Sequence, residues 1–220
     1  MIENILFKLS IMLVPGLLAI TCHEVSHGYV AWRYGDPTAK MLGRLTLNPL
    51  KHIDIFGTLM LVIVGIGWAK PVPVVIENLR NPKKDMIWVS IAGPVTNILL
   101  ALASALLLRA VLLVPPDIGI SFVLRPVSYM AAFSVYINLL LAFFNMIPIP
   151  PLDGGRVLMG LLPYRQAASL SRLEPYGMII IILLVFFTPV FSIVLRPLID
   201  FFSHLLIGTQ TLSSHAFRIM

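Results

Sequence analysis

The segment His23-Glu24-Val25-Ser26-His27 is the part of this chain best equipped for chemistry. On an α-helix, positions i and i+4 share a face. Two imidazoles so placed can reach one metal ion at about 2.0–2.1 Å. The glutamate between them sits beside that ion, where it can take a proton from water. These residues interrupt an apolar run, and an ionisable group inside a membrane costs about 2.5 kcal/mol or more, which marks it as functional. The plainer alternative is a polar trio that bonds to neighbouring helices or lines a proton path.

A catalytic zinc needs a third protein ligand and an open position for water. With one cysteine, Cys22, the chain can form neither an intrachain disulfide nor a cysteine-based zinc cluster. The attractive candidate is Asp153, in Asn145-Met146-Ile147-Pro148-Ile149-Pro150-Pro151-Leu152-Asp153-Gly154-Gly155. These prolines can turn the chain back into the protein, where irregular backbone is tolerated if it lines a cavity. Gly154 and Gly155 permit close backbone approach. Taken alone, Asp153 reads as a helix N-cap; taken with the histidine pair, it reads as a ligand.

The elements that must position these groups are membrane helices. Of 220 residues, 58% are hydrophobic and 12% charged, and mean hydropathy is +0.93. Soluble domains carry about 25% charged residues, so an ordinary soluble enzyme is excluded, as is disorder. Apolar spans run from about Ile5 to Trp32, Met86 to Val114, Val123 to Met146 and Tyr176 to Ile207. Pro115-Pro116-Asp117 ends the second, and Pro189 and Pro197 can kink the last. Ile55 to Ile66, with Gly57, Gly65 and Gly67 in or beside it, is too short to span and predicts a re-entrant helix. Lys40 to Asn48 alternates like short strands, and Trp68 to Val75 (WAKPVPVV) like an extended edge strand. The expected fold is an all-α polytopic membrane protein with about four transmembrane helices, a short re-entrant segment and a small strand-like insertion. We expect a single integral-membrane domain over 1–220, with a core at about 5–162 and a C-terminal helix at about 176–207.

The net charge of +6 is explained by membrane orientation, so nucleic acid is not an expected partner. Eleven basic residues fall between spans one and two or between spans three and four, against five elsewhere. The positive-inside bias then puts the loops that follow spans one and three, and the metal site near them, on the cytoplasmic side. The first span has no small-residue cleavage site and carries chemistry, so it is not expected to be a removable signal peptide. Asn97 has two readings, helix packing or lining the site. His52 reads as a loop residue at the membrane surface, with a supporting role behind the site as the alternative. Arg196 and Asp200 are spaced to pair.

HEVSH in the first span and N-x-x-P-x-P-P-L-D-G-G in a later one together resemble the site-2 protease family of intramembrane zinc metalloproteases. Smaller matches follow in the family's order: Asn48-Pro49-Leu50-Lys51-His52-Ile53-Asp54, Gly67-Trp68-Ala69-Lys70-Pro71-Val72-Pro73-Val74 and Ala92-Gly93-Pro94-Val95-Thr96-Asn97. Ile55 departs from the pattern, since relatives often have proline after the aspartate. The resemblance covers about Ile5 to Leu162 and is to a minimal form without a PDZ domain. It implies one Zn2+ per chain held by His23, His27 and Asp153, water activation by Glu24, and Asn145 near the site as a donor to the oxyanion; the other reading of Asn145 is a buried side chain that joins helix to helix. It further implies hydrolysis of peptide bonds within or near transmembrane helices of protein or peptide substrates in the lipid bilayer. For such substrates, WAKPVPVV could offer an edge for strand addition or serve as a lid. The competing functions are a membrane zinc transporter and a catalytically inert membrane-protein binder of the same fold. A transporter needs a polar path, for which the spans offer few ionisable residues. An inert relative should lack one of the four essential side chains, and all four are present.

Overall fold

In the computed structural model, residues 2–64, 67–115 and 120–208 are described; the expectations that rest on Gly65, Ile66, Pro116 and Asp117 lie outside them. The regular elements among the described residues are all helical, with no β-strand. Helix α1 (Ile2–Arg33) runs unbroken through Pro15. It ends where Gly35 takes φ 116° and the Asp36 N–H reaches back to the Ala31 carbonyl at 2.9 Å, a glycine-based cap that satisfies the last carbonyls. Short α2 (Thr38–Met41) follows, then α3 (Ile55–Val64) and the long α4 (Pro82–Leu112). Pro82 is pre-shaped for a first helical turn, and the Asp85 carboxylate accepts from the Asn81 N–H at 2.7 Å, which satisfies a donor the helix leaves open. Then come α5 (Ser121–Asn145), α6 (Asp153–Leu161), α7 (Tyr164–Ser171), α8 (Gly177–Phe187) and α9 (Arg196–Ile207).

Among the described residues, four stretches are long and apolar enough to cross a membrane: Leu9–Arg33, Pro82–Leu112, Ser121–Asn145 and Tyr164–Phe187. The chain is an integral membrane protein. At 1.5 Å per residue, the ten residues of α3 rise about 15 Å, half the hydrocarbon thickness. The last apolar block is segmented: α8 stops at Phe187, a π-helical turn covers Phe191–Leu195, and α9 follows. Pro189, which has no N–H to continue the ladder, lies in the break. On α9, Arg196 and Asp200 pair at 3.9 Å, as their spacing predicted.

Three local expectations are corrected. Lys40 to Asn48 does not form strands. Lys40 and Met41 end α2, Gly43 turns the chain at φ 62°, and the Asn48 side chain caps a 3-10 turn over Pro49–Lys51. Trp68 to Val75 lies outside any sheet: the prolines at 71 and 73 lack N–H groups, and two of the N–H groups that remain go to side chains. His52 is 2% exposed, not a surface residue, with Nε2 on the Thr46 carbonyl at 2.9 Å.

The chain divides into two compact units. One comprises Met1–Ala19, Asn97–Phe144 and Thr188–Met220; the other comprises Ile20–Thr96 and Asn145–Phe187. The second holds every residue singled out above as a metal ligand or acid–base group. A buried cluster of Ala31, Leu79, Met86 and Val89 joins α1, the segment before α4, and α4 within it.

Candidate metal centre

His23 and His27 project from one face of α1, their rings 4.7 Å apart and edge to face. The helical i, i+4 relation supplies the pair; α4 supplies the room. A Cβ at Gly93 would lie 2.5 Å from His27 Nε2 and 2.6 Å from His23 Nε2, so no larger residue fits there. The backbone of α4 also orients one ring. His27 Nδ1–H donates to the Val89 carbonyl at 2.7 Å, which directs the lone pair on Nε2 inward.

Asp153 arrives from the other end of the unit. After α5 the chain turns through Met146–Leu152, and two glycines let that turn lie on α6. A Cβ at Gly154 would meet the Met146 carbonyl oxygen at 2.3 Å, and one at Gly155 the Pro150 nitrogen at 2.3 Å. Gly177, at the start of α8, accepts the Pro150 carbonyl in the same way. The N-cap of α6 is Leu152, with no side-chain cap, so Asp153 is not the cap residue that its type suggests. Its side chain turns to the imidazoles instead.

Three ligand atoms converge. Asp153 Oδ2 lies 3.2 Å from His23 Nε2 and 3.4 Å from His27 Nε2, and the two nitrogens are 3.0 Å apart. All three residues are buried, Asp153 at 8% exposure, and Oδ2 makes no hydrogen bond. A shared proton can bridge two of these atoms; a cation can satisfy all three. A tetrahedral ion with bonds of about 2.1 Å holds its ligands about 3.4 Å apart, close to the observed triangle. Two imidazoles and a carboxylate are the donor set of a catalytic zinc that keeps a position open. The residues therefore fit zinc. Among the described residues this is the one cluster of three or more potential metal ligands.

Glu24 is on the adjoining face of α1. Its Oε2 accepts the Val72 N–H at 2.8 Å. Asn145 is the last residue of α5, half-buried, eight positions before Asp153. Asn97, with two readings from the sequence, bonds the Ala19 carbonyl and the Asn138 side chain. The role of residues 67–78 was not legible. Their Val75 N–H and Asn78 amide bond Asp36 at 2.7 and 3.0 Å, and Arg44 reaches the Lys70 and Pro71 carbonyls. Burial would push the Asp36 carboxyl up, but the Asn78 amide, the Thr38 hydroxyl and the backbone N–H groups of Val75 and Thr38 outweigh it and hold it below the usual carboxylate range.

The family model of peptidase family M50 matches residues 118–188, which include Asp153. The chain is 40% identical over 199 residues to "Putative zinc metalloprotease YwhC" of Bacillus subtilis (strain 168), across 88% of this chain and 89% of that one. It is 30% identical over 180 residues to "Putative zinc metalloprotease Rip2" of Mycolicibacterium smegmatis, across 79% of this chain and 66% of that one. The Rip2 protein of Mycobacterium tuberculosis (strain H37Rv) gives 30% over 179 residues, with the same coverage. No solved structure matches the chain.

Proposed function

Because the chain belongs to peptidase family M50, the site-2 protease family, and is a membrane zinc metalloendopeptidase, we propose that it hydrolyses peptide bonds within or near transmembrane helices of other membrane proteins. His23, His27 and Asp153 hold the single zinc, and Glu24 is the general base and acid. The observation that carries this reading is the buried Asp153 Oδ2, which has two imidazole nitrogens as neighbours and no hydrogen bond.

Zinc held there supplies Lewis acidity, which brings the pKa of water toward about 7 and polarises a carbonyl. Glu24 Oε1 takes the proton from the attacking water and later delivers it to the leaving amine. The Asn145 amide donates to the developing oxyanion, a contact worth about 3 kcal/mol at comparable sites. The Val89 carbonyl keeps His27 in the tautomer that ligation requires. The excess of basic residues in the loops after spans one and three supports an active site toward the cytoplasm. The whole of 1–220 acts as one metalloprotease domain.

The test is Glu24→Gln in the purified full chain, with bound zinc and cleavage of a model transmembrane substrate measured together. We expect one zinc per chain and a loss of cleavage of about a hundredfold or more. Full cleavage by the variant overturns the reading.

A further inference from the structure

The Glu24 carboxylate is met by a backbone group, and the surroundings of that group are built for the encounter. Val72 stands between Pro71 and Pro73, so it carries the one N–H group of the three residues. That N–H goes to Glu24 Oε2 at 2.8 Å. The segment is anchored on both sides of the contact. The Lys70 N–H donates to the His52 carbonyl at 2.9 Å, and the Val75 N–H to Asp36 at 2.7 Å. The Val72 side chain, 7% exposed, is seated on Gly28, one helical turn beyond Glu24 on α1. A Cβ at Gly28 would lie 2.7 Å from Val72 Cγ1 and 2.7 Å from Leu45 Cδ2. The glycine thus sets how closely the strap approaches the helix.

We propose that the Pro71-Val72-Pro73 strap, seated on Gly28, is the positioning element for Glu24, with the Val72 N–H holding one carboxylate oxygen and leaving the other for the proton of water. This rests on the reading of Glu24 as general base. A carboxylate on a flexible side chain has several rotamers, and a fixed donor selects one. An ionised carboxylate accepts at both oxygens, so Oε1 stays available. The flanking prolines remove competing donors and stiffen the backbone. Misplacement of a catalytic group by about 1 Å can cost a hundredfold in rate, which sets the scale of the effect.

The test uses the full chain in detergent with the same transmembrane substrate and bound zinc measured throughout. Val72→Pro removes the N–H; we expect kcat to fall about tenfold to a hundredfold, with KM and one zinc per chain retained. Gly28→Ala should lower kcat similarly by lifting the strap. Adding Val72→Ala and Leu45→Ala to Gly28→Ala removes both side-chain tips that crowd the new Cβ and should recover most of that kcat, which a general folding defect would not allow. A Val72→Pro enzyme with undiminished or raised kcat overturns the proposal, because the strap is then dispensable or a plug. Failure of these two alanines to restore kcat also overturns it. Both outcomes are separable from failure of the general-base reading, which Glu24→Gln alone decides.

Discussion

Among the described residues, two of the buried clusters of polar side chains differ in the kind of their hydrogen bonds. In the unit that contains Asn97–Phe144, the Asn97 amide donates to Asn138 Oδ1 at 2.8 Å and to the Ala19 carbonyl at 3.3 Å. The Asn138 amide donates to the Ser134 carbonyl at 2.8 Å, and Ser104 to Ser134 through their hydroxyls at 2.7 Å. Amides and hydroxyls carry both donors and acceptors, so such a group can close on itself. In the other unit, two imidazole nitrogens and a carboxylate oxygen face one another within 3.4 Å. A shared proton can bridge two of those atoms but not all three, and Asp153 Oδ2 has no hydrogen bond. Burial of polar groups is common to both; only the cluster that is incomplete without a cation has the composition of a site.

That contrast can be broken by substitution. The largest effect belongs to Asp153→Asn. It removes the charge that two imidazoles need, and should abolish stoichiometric zinc with a loss of cleavage of roughly a thousandfold or more; metal analysis and a cleavage assay check it. Retained zinc would dissolve the distinction between the clusters. Gly93→Ala comes next. Its new Cβ would fall 2.5 Å from Nε2 of His27, a ring that the Val89 carbonyl holds in place, so zinc affinity should drop about tenfold to a hundredfold, as competition with a chelator measures. Asn138→Ala breaks the self-contained cluster. It should cost about 1–2 kcal/mol of stability, seen as a lower Tm in detergent, with zinc content unchanged.

The smallest effect is a pH dependence at Asp36, which is fully buried and ties α2 to the strap. Its folded carboxyl is held below the ordinary value of about 3.9. A depressed carboxyl contributes stability that is complete above the unfolded value and is lost as pH falls through the folded one. Protection of residues 67–78 against hydrogen exchange, taken relative to the intrinsic amide rate at each pH, should therefore be constant above about pH 5 and fall on acidification below about pH 4. In Asp36→Asn the protection should be low at every pH.

The length of the apolar runs carried the reading of the long helices. α1, α4 and α5 follow the apolar blocks, because a membrane requires a run of that length and a helix satisfies its own backbone. The histidine pair was legible for the same reason, since its geometry is internal to one helix. Lys40 to Asn48 misled because alternation over nine residues carries no information about a pairing partner, and none is present among the described residues. Asp153 was ambiguous because its type suits both a cap and a ligand; the side chain turns away from the helix end only because imidazoles are waiting.

From the order of residues alone came the membrane class, the donor types, and the pairing of His23 with His27, all consequences of local spacing and solvent preference. Tertiary packing decided that Asp153 closes the triangle, that Gly93 and Gly28 are needed for what lies against them, and that a valine N–H between two prolines finds Glu24. Those outcomes depend on which surfaces meet across as many as 130 positions of chain, and a glycine's missing side chain acquires meaning only from the neighbour that occupies its place.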